Sequence, residues 1–127
     1  MTHAWVRWAL AAGWAAFLFL LSSRPTLPVE LDLGLDKVAH FLAYVVLGFL
    51  LAGAVRSSRM ALWLAVTIGW AYGAADELHQ STVPGRVADL GDWFADAAGI
   101  LAGLLLFLLI TRMRAGPAER SSPIRQT

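Results

Sequence analysis

The sequence contains no cysteine, which excludes disulfide bonds, thiolate catalysis and cysteine-ligated metal centres. Charged residues are also scarce: Asp, Glu, Lys and Arg make up 15% of the 127 residues, against about a quarter in a typical soluble domain. The formal net charge of +1 is too small to indicate a nucleic-acid partner. No internal repeat and no Gly-rich phosphate loop is present. Polar chemistry is therefore confined to a few positions of an apolar chain.

Apolar residues are abundant, at 58% of the chain, and the mean hydropathy is +0.62. They are concentrated in four runs, at residues 4–21, 38–55, 60–75 and 93–110. As a helix, each run is about 24–27 Å long, close to the ~30 Å hydrocarbon core of a bilayer. The sequence therefore predicts an all-α integral membrane four-helix bundle with up-down topology. This domain covers residues 1–114, and residues 115–127 are expected to form a disordered basic tail.

The first run has a second interpretation, because Arg7 precedes the apolar stretch from Trp8 to Leu21, as a basic residue precedes the apolar part of a signal peptide. No clear small-x-small cleavage site precedes Ser22, so a retained helix is favoured.

Basic residues are distributed unevenly over the ends of the predicted helices. With the N-terminus inside, seven of the ten Lys and Arg residues lie on the inner side and three (Arg24, Lys37 and Arg86) on the outer side. This asymmetry predicts that both termini are cytoplasmic. Five of the nine acids lie in one outer stretch: Asp76, Glu77, Asp89, Asp92 and Asp96. Arg86 is the natural cation to lie among them.

The spacing of the outer polar residues places them on shared helix faces. Asp36, His40 and Tyr44 recur every four residues and therefore stack on one face. The small residues Gly99 and Gly103 continue the face of Asp92 and Asp96, and they permit close helix approach within the bundle or in a homo-oligomer. The candidate ligand-binding residues are Asp36, Lys37, His40, Tyr44, Asp76, Glu77, Gln80, Arg86, Asp89, Asp92 and Asp96.

A structural interpretation of these residues stays open beside the functional one. Asp36 and Asp89 have the positions of helix N-caps, each of which contributes typically ~0.5–2 kcal/mol. Tyr44 suits plain packing. Asp96 lies about a turn inside an apolar helix. A lone carboxylate costs at least ~2.5–3.5 kcal/mol near the bilayer centre and less near the interface, where it still needs a partner or a proton. A polar network that only joins the helix ends is thus the alternative to a binding site.

Four short motifs occur in order at the outer helix ends. They are Asp36-Lys37-x-x-His40-Phe41-x-x-Tyr44, Asp76-Glu77-x-x-Gln80, Val83-Pro84-Gly85-Arg86 and Asp92-x-x-x-Asp96-x-x-Gly99. With them, the sequence resembles the VanZ-like family of small bacterial membrane proteins from roughly residue 22 to 103. The resemblance implies a multi-pass protein of the bacterial cytoplasmic (inner) membrane and a candidate role in glycopeptide resistance of the teicoplanin type. It implies no established mechanism.

Three functions are compatible with these residues. In the first, the outer site binds or modifies a lipid-linked or cell-envelope component, such as a lipid-linked cell-wall precursor or a phospholipid headgroup, and Arg86, Lys37 and His40 contact its phosphate. In the second, the protein is a metal-assisted membrane hydrolase of a phosphate ester. Its catalytic candidates are His40, Asp76, Glu77 and Asp92, and Asp89 is a further ligand of a divalent cation, which the sequence permits but does not require. In the third, the chain is a structural or partner-binding membrane subunit.

Overall fold

The computed structural model describes residues 3–25, 33–55 and 58–116, and these residues form four helices without a strand. The helices are α1 (Ala4–Ser22), α2 (Leu33–Val55), α3 (Arg59–Gln80) and α4 (Leu90–Arg114). The predicted all-α class is confirmed for these residues. Residues 117–127, which make up most of the predicted tail, lie outside the described part of the chain.

Three of the helices extend beyond the apolar runs into polar sequence. The second begins at Leu33 rather than at 38, the third continues to Gln80 rather than 75, and the fourth covers 90–114 rather than 93–110. Capping explains where α4 begins, because the Asp89 carboxylate accepts a hydrogen bond from the Gly91 N–H at 2.8 Å. The acids of the predicted site therefore lie mostly on helices, which fixes the directions of their side chains.

Within the described residues, three helices are long and apolar enough to cross a membrane: α1, α2 from Gly34 onward, and α4. The third helix does not reach this hydropathy, since its last turns carry Asp76, Glu77 and Gln80. Large hydrophobic side chains cover much of the outer surface of the bundle, as lipid-facing helices require; Leu20, Leu101 and Leu105 are examples. Four membrane crossings and cytoplasmic termini stay predictions.

Helix α2 lies at the centre of the packing, because it contacts each of the other three helices and α4 most extensively. The α2–α4 contact is close: a Cβ added at Gly48, Gly99 or Gly103 would overlap the backbone of the facing helix. The predicted small-residue stripe is thus covered by α2 within the chain. A homo-oligomer stays a prediction, and it would need a surface other than Gly99 and Gly103.

Candidate functional site

The predicted polar residues meet at one end of the bundle, which we call the polar end. Here the C-terminal turns of α1 and α3 face the N-terminal turns of α2 and α4. All six buried polar or charged side chains of the described residues lie at this end: Ser22, Asp76, Glu77, Gln80, Asp92 and Asp96. Four of the six are acids, so the arrangement of their donors decides what the polar end can do.

The carboxylate of Asp76 accepts hydrogen bonds from three helices. The Ser22 hydroxyl of α1 donates to Oδ1 at 2.6 Å, and the Tyr44 hydroxyl of α2 donates to Oδ2 at 3.2 Å. The Gln80 amide, one turn along α3, donates to the same Oδ2 at 3.4 Å. Asp76 is 5% exposed, and these donors compensate for the water that it has lost.

His40 joins α2 to α4 through a second buried acid. Its Nδ1 lies 2.8 Å from Oδ1 of Asp96, which is 1% exposed. Its Nε2 lies 3.9 Å from Asp36 Oδ1 and 3.8 Å from Asp92 Oδ2. The partner that Asp96 was expected to need is therefore the imidazole of His40, at the position four residues before Tyr44.

Lys37 is the cation that lies among the acids of the loop and α4. Its Nζ is 2.7 Å from Asp89 Oδ2 and 3.0 Å from Asp92 Oδ1. The hydrogen bond from Lys37 lowers the pKa of Asp89, and the bond from the Gly91 N–H acts in the same direction. Asp89 thus caps α4, a role that the sequence left open, and it also forms an ion pair with Lys37 of α2.

Glu77 is a buried acid of α3 that contacts Asp89, the residue that caps α4. Its Oε2 accepts a hydrogen bond at 3.0 Å from the backbone N–H of Asp89. Glu77 is 7% exposed, and its other oxygen, Oε1, has no hydrogen-bond partner in the described part of the chain.

A cleft of about 180 Å³ opens beside this network. Of the eleven predicted site residues, six line the cleft: Asp36, His40, Tyr44, Asp76, Gln80 and Arg86. The other five do not line it: Lys37, Glu77, Asp89, Asp92 and Asp96. The structure therefore brings the predicted residues to one end of the bundle, but only six of them form the wall of the cleft.

Arg86 reaches the cleft from the loop between α3 and α4. The loop turns at Gly85, whose φ of 81° lies in the left-handed region that favours glycine. The Arg86 N–H donates to the Val83 carbonyl at 3.1 Å, and Nε donates to the Arg24 carbonyl at 3.1 Å. Within the described residues Arg86 forms no ion pair with an acid, whereas Lys37 pairs with two. The expectation that Arg86 lies among the acids therefore applies to Lys37 instead.

An apolar groove of about 200 Å³ lies along the same three helices that line the cleft. Its walls are Trp8, Ala11, Ala12 and Ala15 of α1, Leu47 and Leu51 of α2, and Ile68 and Tyr72 of α3. Tyr72 is one helical turn before Asp76 of the cleft, and Leu47 is three residues after Tyr44. The cleft and the groove therefore follow one another along the helix axes.

Two groups of described residues have the ligand types and spacing for a metal ion. They are Asp36, His40 and Asp92, and His40, Glu77 and Asp96; in each group the ligand atoms lie within 4.8 Å of one another. Asp76 and Asp89, which the sequence also offered as ligands, are in neither group. Their carboxylates are used instead by Ser22 and Tyr44 and by Lys37, respectively.

Sequence reasoning missed Ser22 as a residue of the site. Ser22 is 5% exposed and provides the shortest hydrogen bond to Asp76. The signal was present, because Ser22-Ser23 directly follows the first apolar run at the predicted outer end. Ser23 has a parallel role: its Oγ lies 2.9 Å from His79 Nε2, and the His79 ring stacks on Phe19.

A family model described as VanZ/LLP1 matches residues 3–111. No curated protein and no solved structure matches the chain.

Proposed function

The chain belongs to the VanZ/LLP1 family, and from this membership and the geometry of the polar end we propose that it binds the phosphate-bearing headgroup of a membrane lipid or lipid-linked envelope precursor. The observation that carries the proposal is a cleft with Arg86 at its polar wall and, further along the same three helices, a separate apolar groove. A lipid has the same division into a charged head and an apolar chain.

Arg86 supports the phosphate part of the proposal. Among the described residues, only its Nε is engaged as a side-chain donor, by the Arg24 carbonyl, so the terminal guanidinium nitrogens can form the paired hydrogen bonds that arginine makes to phosphate oxygens. Lys37 and His40, which the sequence offered for the same contact, already pair with Asp89, Asp92 and Asp96. The phosphate contact is therefore assigned to Arg86.

The acids of the cleft do not oppose this binding equally. Asp76 lies deep and accepts three hydrogen bonds, whereas the Asp36 side chain is 51% exposed at the rim, where solvent screens its charge. The Gln80 amide and the His40 imidazole add polar groups to the same wall. A phosphate at Arg86 would therefore have one solvent-screened acid at the rim, Asp36, and one hydrogen-bonded acid in the interior, Asp76.

The apolar groove supports the lipid part of the proposal. Its walls come from α1, α2 and α3 and consist of alanine, leucine, isoleucine and aromatic side chains. Free phosphate or a soluble phosphate ester would leave this groove unused. An acyl or polyprenyl chain buries apolar surface there at about 25 cal/mol per Å².

We further propose that the polar end faces the outside of the bacterial inner membrane in an up-down arrangement of four helices. The excess of Lys and Arg at the other helix ends supports this orientation. At that opposite end, Arg7 near the start of α1 donates to the Gly53 carbonyl near the end of α2 at 3.2 Å, so these two helices run in opposite directions. The cleft would then lie at the depth of the outer-leaflet headgroups.

Native mass spectrometry of the protein in mild detergent tests the proposal. Wild type is expected to retain a phosphate-bearing lipid, and Arg86→Ala is expected to lose at least about nine-tenths of it, because the paired hydrogen bonds are removed. Arg112→Ala is the matched control, since Arg112 is exposed near the other end of α4. The mass of the retained lipid distinguishes a phospholipid from a polyprenyl-linked precursor.

Bare protein in all three samples, or equal lipid in wild type and Arg86→Ala, would contradict the proposal. The polar end would then be a network that joins the helices, and the structural-subunit interpretation would lead.

In cells, this proposal predicts a role in teicoplanin-type resistance. A protein that holds a lipid-linked wall precursor at the outer face would compete with an antibiotic that binds the same precursor. Expression of wild type is then expected to raise the inhibitory concentration of teicoplanin at least about twofold, and expression of Arg86→Ala is not. Equal inhibitory concentrations for the two proteins would contradict the resistance role. Lipid binding would still be tested by the mass spectra.

A further inference from the structure

We propose that His40, Glu77 and Asp96 bind one divalent transition-metal cation at the polar end. This site is distinct from the phosphate contact of Arg86 and does not depend on lipid binding.

The three side chains come from three helices and converge in the interior. His40 lies on α2, Glu77 near the end of α3 and Asp96 in the second turn of α4. One ligand atom of each lies within 4.8 Å of the others. Glu77 and Asp96 are 7% and 1% exposed, so the site is shielded from bulk water.

Two buried oxygens at this place have no hydrogen-bond partner among the residues that the structure describes. Asp96 uses Oδ1 toward His40, and Glu77 uses Oε2 toward the Asp89 N–H. The second oxygens, Asp96 Oδ2 and Glu77 Oε1, are buried without a donor in the described residues. Buried polar atoms are nearly always satisfied in native proteins, so a pair of free carboxylate oxygens in one ligand group calls for a bound partner.

The charges at the polar end point to a cation as that partner. Four acids are buried there: Asp76, Glu77, Asp92 and Asp96. Lys37 pairs with Asp92, whereas the contact of His40 with Asp96 is an ion pair only when the imidazole is protonated. An imidazole that binds a metal is neutral, so Glu77 and Asp96 then have no cationic side chain as a partner within the described residues. Buried charges are stable when paired or when they coordinate a metal.

The donor set favours a particular class of cation. One imidazole nitrogen and two carboxylate oxygens suit Zn²⁺ or Mn²⁺, whereas Mg²⁺ and Ca²⁺ prefer oxygen ligands throughout. His40 also lines the cleft, so an ion at this place would adjoin the wall where Arg86 lies.

The second group, Asp36, His40 and Asp92, is explained without an ion. Asp36 and His40 are four residues apart on one helix face, and the Asp36 side chain is half exposed. Asp92 already pairs with Lys37. A variant of this second group therefore serves as the control for variants of the first group.

Metal binding by the full-length protein in detergent tests the site. After treatment with EDTA, the protein is loaded with Zn²⁺ or with Mn²⁺, its metal content is measured by mass spectrometry, and its affinity is measured by titration calorimetry. Wild type is expected to bind one ion per chain. Glu77→Gln and Asp96→Asn are each expected to weaken the binding at least about tenfold, since each replaces a ligand oxygen. Asp36→Asn is expected to stay within about twofold of wild type.

The two amide variants keep the neighbouring contacts, because the Gln carbonyl can still accept the Asp89 N–H and the Asn carbonyl can still accept from His40. Circular dichroism and the Tm of the metal-free proteins check that they fold. Added Zn²⁺ should raise the Tm of wild type but not of Glu77→Gln.

Three results would overturn the site: no stoichiometric metal in wild type, unchanged affinity in Glu77→Gln, or loss of the ion in Asp36→Asn. None of these results alters the lipid retention expected at Arg86, so the two proposals fail separately.

Discussion

At the scale of single residues, the polar end depends on how each buried carboxylate is satisfied. Asp76 receives three side-chain donors, from Ser22, Tyr44 and Gln80. A carboxylate that loses such a donor in a buried place is destabilised, because water cannot replace the bond. The hydroxyl of Ser22, at 2.6 Å, is the donor whose removal should have the clearest effect.

We therefore expect Ser22→Ala to lower the free energy of unfolding by about 1–3 kcal/mol. Ser23→Ala is the control: Ser23 is less buried and bonds to His79 and the Phe19 carbonyl, so its loss should be below about 1 kcal/mol. Equilibrium unfolding in mixed detergent and SDS measures both. Equal losses would mean that Ser22 contributes nothing specific to Asp76.

The sequence predicted most residues of the site but not which of them face a ligand. The recurrence of Asp36, His40 and Tyr44 every four residues shows that they share a face. It does not show how α2 is rotated against α3 and α4. For the same reason, the sequence placed Arg86 among the acids, whereas in the structure Lys37 pairs with them. A loop residue such as Arg86 is placed by the turn at Gly85 and by a contact with Arg24, which is distant in sequence.

At the scale of helices, the α2–α4 contact holds the polar end together. The two helices approach so closely at Gly48, Gly99 and Gly103 that side chains are excluded from the contact. This places Lys37 and His40 of α2 beside Asp92 and Asp96 of α4. The small residues at the α2–α4 contact thus set the distances between the charged groups at the polar end.

Gly103→Ala is accordingly expected to destabilise the bundle by about 1–3 kcal/mol, because a Cβ there would overlap the Val45 backbone and force the helices apart. Gly13→Ala is the matched control, since an added Cβ at this exposed glycine of α1 meets nothing within 4 Å. It should be neutral or stabilise by up to about 1 kcal/mol through helix propensity. Unfolding in SDS compares the two, and a Gly103→Ala protein as stable as Gly13→Ala would contradict the tight contact.

Helix existence was predictable from the sequence, whereas helix ends were not. The four apolar runs marked all four helices, because apolar segments of this length form helices in lipid. The ends at Leu33, Gln80 and Arg114 lie in polar sequence, where hydropathy gives no signal. At the start of α4 a local cap, the Asp89 side chain, decides where the helix begins.

At the scale of the whole molecule, the proposed orientation is open to a direct chemical test because the chain has no cysteine. A single cysteine at Thr82, in the exposed loop of the polar end, is expected to react with a membrane-impermeant maleimide in intact spheroplasts. A single cysteine at Ser58, exposed before α3, should react only after lysis. The reverse pattern would place the polar end in the cytoplasm.

The central claim is that one lipid lies with its headgroup in the cleft at Arg86 and its chain in the groove between α1, α2 and α3. A phospholipid with a photoreactive diazirine in its acyl chain tests this most directly. After irradiation in nanodiscs, peptide mass spectrometry should find the adducts mainly on groove residues such as Ala12, Leu47 and Ile68, and Arg86→Ala should lower their yield. Adducts spread evenly over lipid-facing positions such as Leu105 and Leu109, with the same yield in Arg86→Ala, would contradict the claim.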